Sequence, residues 1–136
     1  MPTKRLLFVC IENSCRSQMA EGFARALGGE GVEVRSAGSR PSGVVSPAAV
    51  AAMARVGIDL RGHRSEGLDA IAREAFDAVI TMGCGEACPA VPSPLVEDWG
   101  IPDPKHMARA AFDDVRDGIR ERVADLLARL GVPLGT

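Results

Sequence analysis

An unbroken apolar run, Leu6-Leu7-Phe8-Val9, ends at Cys10, and apolar residues at helical spacing begin shortly afterwards at Met19. A run this short and continuous fits a central parallel strand covered on both faces. The joint between strand and helix reads Cys10-Ile11-Glu12-Asn13-Ser14-Cys15-Arg16-Ser17. The five residues Ile11 to Cys15 between Cys10 and Arg16 are enough for the backbone to curl round a tetrahedral oxyanion, with amide N–H groups and a helix N-terminus facing inward. Cys10 would then sit at the floor of the cup as a nucleophile. Arg16 would supply a planar fork for two oxygens of the anion and a positive charge beside the thiol. A bare arginine beside a helix N-terminus is electrostatically unfavourable, and an anion bridging the two relieves it. Ser14 and Ser17 can cap the helix or bond the sulfur.

Beyond this joint, strand and helix patterns alternate. Arg5 to Cys10 is the first strand. Met19, Ala20, Phe23, Ala24 and Leu27 define a helix from Ser17 that Gly28-Gly29 stops. Val32 to Ala37 alternates apolar and polar like an outer strand, and Gly38 to Gly43 reads as loop. Ser46-Pro47 opens a second helix, with proline at its first position, that runs to Val56 and ends at Gly57. Asp69 to Glu74 reads as one short helix, Phe76 to Met82 as a strand, Gly83 to Pro94 as loop and Leu95 to Trp99 as a last strand. Val115, Ile119, Val123, Leu126, Leu127 and Leu130 mark a long amphipathic final helix ending near Gly131. Such an order predicts an α/β fold with a parallel sheet, right-handed crossovers and a site at the carboxyl ends of the strands. Cys10 lies at such an end.

At 136 residues the chain fits one domain, 1–136. A net charge of -2 gives no global basic field for nucleic acid, so any anion specificity must be local. Lys4-Arg5 before Leu6 to Val9 mimics the start of a signal peptide, but the apolar run breaks at Glu12-Asn13. No stretch approaches the roughly 20 apolar residues of a membrane span. The four cysteines, Cys10, Cys15, Cys84 and Cys88, are therefore expected as reduced thiols in the cytoplasm. Their spacing lacks the tight knuckles of a structural zinc site. Cys15 serves either packing or protection of oxidised Cys10. His63 and His106 have no paired-ligand pattern and are expected at the surface.

The run Phe8-Val9-Cys10 through Asn13-Ser14-Cys15-Arg16-Ser17-Gln18-Met19-Ala20-Glu21 resembles the arsenate reductases built on the low-molecular-weight tyrosine phosphatase fold. The likeness continues through Ser36-Ala37-Gly38, Ala51 to Gly57, Thr81-Met82, Cys88-Pro89 and Asp103-Pro104. It implies a three-layer sandwich whose four-stranded parallel sheet has the order 2-1-3-4 between helices. Two features separate the branches of this superfamily. Phosphatases of the fold place proline after the Arg-Ser pair and tyrosines after the acid Asp-Pro, whereas Gln18 and Lys105-His106 stand here. In addition, Cys84 and Cys88 follow the strand expected beside the first.

That resemblance implies reduction of arsenate to arsenite by a cysteine relay, with arsenic detoxification as its purpose. Cys10 attacks arsenate held by the loop amides of Ile11 to Ser17 and by Arg16, Asp103 protonates the departing oxygen, Cys84 resolves the adduct and Cys88 takes over the disulfide. Thioredoxin or a similar dithiol protein would reduce the product; glutaredoxin or a low-molecular-weight thiol is the alternative. Only Gly85-Glu86-Ala87 separates Cys84 from Cys88, and a disulfide there requires Cα atoms within about 4.4–6.8 Å, as in one folded turn. Phosphate or sulfate would mimic the substrate, and a monomer is implied. No tightly bound cofactor is implied beyond a potassium ion, for which Asn13, Glu21 and Ser36 match the family's ligand positions, with Glu66 where aspartate is usual. The competing use of these residues is structural, with Asn13 at the positive φ the cup needs and Glu21 tying it to Ser36. The alternative activity is hydrolysis of phosphate monoesters as a protein tyrosine phosphatase. A redox sensor or anion-binding module without turnover would keep the cup but make Asp103 dispensable.

Overall fold

A computed structural model of the chain describes residues 3–71, 73–83 and 91–134. Strands β1 (Lys4–Cys10), β2 (Val32–Gly38), β3 (Ala78–Thr81) and β4 (Leu95–Asp98) form one parallel sheet in the order β2-β1-β3-β4. The order is the expected one. Register aligns Cys10 with Gly38, Val9 with Thr81, and Thr81 with Asp98, so all four strands end on the same side of the molecule. Leu6 to Cys10 are all buried, as the continuous apolar run requires.

The two faces of β1 are covered differently. Leu6, Phe8 and Cys10 pack with Met19 and Phe23 of α1 (Arg16–Gly28), Ala49 and Met53 of α2 (Pro47–Ala54), and Ile119, Val123, Leu126 and Leu127 of α3 (Arg109–Arg129). Leu7 and Val9 face a smaller cluster with Ala37, Ile71, Phe76 and Val79. Among the described residues that second face carries a 3-10 turn, Leu68–Ile71, where the sequence reads as a short helix over Asp69 to Glu74. β3 is also shorter than the apolar run suggests. Phe76 and Met82 are buried outside the ladder, Phe76 packing beneath the Arg5 guanidinium at 5.1 Å. Ser46 caps α2 by accepting the Ala49 N–H, with Pro47 at the first position as the sequence predicts. No helix among the described residues is long and apolar enough to cross a membrane.

Candidate oxyanion site

The segment from Ile11 to Cys15 leaves β1 and turns straight into α1. Asn13 has φ 49°, the one non-glycine residue with positive φ among the described residues, and this reverses the chain within the loop. Each carbonyl of the loop is held from outside. Cys10 O accepts from Ser39 N–H at 3.3 Å, Ile11 O from Arg40 N–H at 2.8 Å, and Ser14 O from Ser46 N–H at 2.8 Å. Glu12 O accepts from Ser42 N–H at 3.0 Å and from the Ser65 hydroxyl at 2.9 Å, and Asn13 O accepts from Gln18 Nε2 at 3.0 Å. With the carbonyls pulled outward, the peptide N–H groups are left facing the concave side. Among the described residues, Asn13 N–H alone of these meets a side chain, the Cys10 sulfur at 3.2 Å. This is a cradle for an anion formed before any anion arrives.

Gly38 makes the close approach of β2 to the loop possible. A Cβ there would lie 2.5 Å from Ile11 O and 2.8 Å from Asn13 N, both backbone atoms that cannot step aside. Neither Ser14 nor Ser17 caps α1. Its N-cap is Cys15, with no side-chain bond, while the Ser17 hydroxyl lies 2.9 Å from Cys10 Sγ and accepts from Asn13 Nδ2 at 2.8 Å. The first turn therefore keeps its free donors for the cup.

Arg16 is buried, and no carboxylate of the described residues lies within 4.0 Å of it. Its Nη1 donates to Met82 O at 2.8 Å and Ile101 O at 2.9 Å, carbonyls just past the ends of β3 and β4. The grip fixes the guanidinium plane and leaves Nε and Nη2 without a protein acceptor among the described residues. Those two groups are the fork that a tetrahedral anion needs. Cys10, Arg16, Asp103 and Lys105 line one cleft of about 340 Å³, walled by Ser42, Val44, Ser46 and Pro47. Asp103 is exposed, and its Oδ1 accepts the Lys105 N–H at 3.1 Å. Cys15 borders the same cleft, but burial pushes its thiol up to about 12, with the nearby Asp103 and Cys10 adding to the shift. At neutral pH it is a thiol, and a poor nucleophile. Cys84 and Cys88 lie outside the described residues.

The four residues matched to a potassium site stand close together, and several of their oxygens already accept hydrogen bonds. Glu21 Oε1 accepts from Ser36 Oγ at 2.5 Å and Glu21 Oε2 from Arg25 Nε at 2.8 Å. Asn13 Oδ1 accepts from Glu66 N–H at 2.7 Å, and Glu66 Oε2 from Arg35 Nη2 at 3.2 Å. Two guanidinium groups thus pair with carboxylates of this set, one on Glu21 and one on Glu66. The structural tie between Glu21 and Ser36 is present, whereas Asn13 bonds Ser17 and Glu66 instead of Glu21. His63 departs from its expected surface position. It reaches from the 62–66 segment onto α1, with Nδ1 3.0 Å from Gln18 Oε1 and 3.7 Å from Glu21 Oε2. His106 is exposed.

Sequence reasoning missed the residues that hold the cup: Gln18, Ser39, Arg40, Ser42, Ser46 and Ser65. Most of them act through backbone N–H groups, which carry no residue-type signal. Ser65 and Gln18 act through side chains; Gln18 Nε2 also donates to Arg64 O at 2.7 Å, and a buried amide at the third helical position is a visible anomaly.

Four likenesses to known proteins bear on this geometry. The family described as low molecular weight phosphotyrosine protein phosphatase matches residues 5–133. A glutaredoxin arsenate reductase of Synechocystis sp. is 42% identical over 93% of this chain and 98% of its own. An arsenate reductase solved in its phosphate-binding state superposes with a TM-score of 0.85 at 40% identity, covering 93% of this chain and 98% of that one. A thioredoxin-dependent arsenate reductase of Corynebacterium glutamicum gives a TM-score of 0.79 at 30% identity, over 96% of this chain and 63% of the other.

Proposed function

Because the chain belongs to the low molecular weight phosphotyrosine protein phosphatase family, and within that family is similar along nearly its whole length to arsenate reductases, we propose that it reduces arsenate to arsenite on Cys10. The similarity over 93% of the chain carries the choice of reduction over ester hydrolysis. The cup itself suits either oxyanion.

Each role follows from chemistry available at the site. Arsenate enters the cleft and replaces water on the inward N–H groups, with two of its oxygens on Nε and Nη2 of Arg16. The Cys10 thiolate, supported by the Ser17 hydroxyl and the Asn13 N–H, gives an electron pair to arsenic(V). One As–O bond breaks, and that oxygen leaves as water with a proton from Asp103. Cys84 then attacks Cys10 Sγ. The S–S bond forms, the S–As bond breaks, and its electron pair stays with arsenic, which departs as trivalent arsenite. Cys88 attacks Cys84, freeing Cys10 as thiolate and leaving a Cys84–Cys88 disulfide. A dithiol protein returns two electrons and two protons by exchange. Thioredoxin is the first candidate for that partner and glutaredoxin the second, in line with the two reductant types named among similar proteins. The relay needs reduced thiols, in keeping with work in the cytoplasm, and the chain is taken to act as a monomer.

The relay is tested by trapping. C88S treated with arsenate should accumulate a Cys10–Cys84 disulfide in peptide maps. Finding Cys10 joined to Cys15 instead would reject this order.

A further inference from the structure

We propose that Lys105 is an oxyanion-binding residue that rests on Glu12 until the anion arrives, an inference that rests on the reading of the cup as an oxyanion site. Lys105 Nζ lies 3.3 Å from Glu12 Oε1, and both residues line the cleft that holds Cys10, Arg16 and Asp103.

A carboxylate in an anion cradle is a liability. Glu12 sits within the loop, two positions after Cys10, and an arriving oxyanion meets its negative charge at the mouth of the cleft. The backbone offers it no escape, because Glu12 O is fixed by Ser42 and Ser65. Lys105 is placed to answer that charge. Its N–H is tied to Asp103 Oδ1 at 3.1 Å, so its backbone is held in the segment that carries the proposed acid while its side chain crosses to the loop.

The pair is built to exchange partners. Arg16 is buried and clasped by two carbonyls, so its charge cannot follow the anion as it enters or leaves. Lys105 and Glu12 have side chains 55% and 45% exposed, and an ion pair so open to water is weak. An ammonium has three donors, so it can swing from Glu12 to the anion or bridge both. Lys105 forms no bond to a reacting atom in the steps above. Its effect should therefore fall on binding, raising KM when removed and leaving kcat unchanged.

The test measures inorganic phosphate binding through its protection of Cys10 from iodoacetamide, at low ionic strength, in wild type, K105M, K105R, E12Q and E12Q/K105M. K105M should weaken phosphate roughly five- to tenfold, as one contact with a doubly charged anion implies. K105R should restore binding to within about twofold of wild type, and the loss on K105M should persist when Glu12 is already Gln. Binding by K105M within about twofold of wild type would overturn the proposal. So would loss of the K105M effect in the E12Q background, since Lys105 would then merely cancel Glu12. Protection needs no turnover. If it follows the expected pattern while arsenate reduction fails, the Lys105 assignment stands and the reductase reading falls.

Discussion

The Ser17 hydroxyl stands 2.9 Å from the Cys10 sulfur, one helical turn into α1, and links that sulfur to Asn13 Nδ2 at 2.8 Å. When Cys10 reacts as a thiolate, a hydroxyl donating to it contributes about 1.5–3 kcal/mol. S17A should therefore alkylate at Cys10 roughly tenfold more slowly at pH 7 and lose a similar factor in kcat/KM for arsenate. Unchanged alkylation would show that the hydroxyl serves the loop and not the sulfur.

Arg16 is held in one plane by Met82 O and Ile101 O. R16K keeps the charge but loses the fork and half of the clasp, so kcat/KM should fall by about one to two orders of magnitude. Stability in urea should fall by about 1 kcal/mol or more, from the carbonyls left without a donor. A lysine variant with near-normal kinetics would mean that charge alone suffices.

Gly38 has no room for a methyl group against Ile11 O at 2.5 Å. G38A should cost about 1–3 kcal/mol in urea unfolding, and the strain falls on the loop itself. Phosphate protection of Cys10 should weaken with it. G62A, at a site with no atom near its Cβ, is the matched control.

How much of this was legible in the sequence follows from the kind of signal each part leaves. Leu6 to Val9, the helical spacing of Met19 and Phe23, and the Ser46-Pro47 cap are local patterns, and each appears where it was read. Cys10 and Arg16 were legible because their spacing is also local. The outward clasp of the loop was not, since its donors lie on β2's exit, α2's entry and the 62–66 segment and reach the loop only after folding. His63 looked like a surface residue because a lone histidine has no period, and its bond to Gln18 exists only in three dimensions. The short ladder of β3 was hidden for a related reason, because Phe76 and Met82 are as apolar as strand residues but lie outside the ladder, with Met82 N–H still bonded to Val9 O at 3.0 Å.

Glu97 on β4 gives a pH prediction. Arg129 donates to it at 2.5 and 2.9 Å, and Trp99 Nε1 at 3.1 Å, which together hold its carboxyl down at about 2. The unfolded chain takes up the proton more readily than the folded one, so the pair's contribution is complete above the ordinary carboxylate range. It is lost as pH falls from there through about 2. Since Arg129 is partly exposed, that contribution is about 1 kcal/mol or less. E97Q should be less stable than wild type by this amount at pH 7, with a smaller gap at pH 3. A gap that widens on acidification would contradict the assignment.

Arg25 and Arg35 occupy the oxygens of Glu21 and Glu66. The melting temperature should therefore agree within about 1 °C in KCl and NaCl of equal ionic strength, as expected where these guanidinium groups already neutralise the two carboxylates. R25M, which frees Glu21 Oε2, is the variant in which a potassium-dependent rise could emerge. A rise of several degrees in the wild type would restore the cation to the site.

The central claim is that the Cys10 cup serves arsenate reduction. NADPH oxidation followed with arsenate, thioredoxin and thioredoxin reductase, beside hydrolysis of an aryl phosphate by the same preparation, tests it most directly. Arsenate-dependent oxidation that disappears in C10S, with little ester hydrolysis, is the predicted result. Rapid ester hydrolysis with no arsenate-dependent oxidation, whether thioredoxin, glutaredoxin or a small thiol is supplied, would contradict it.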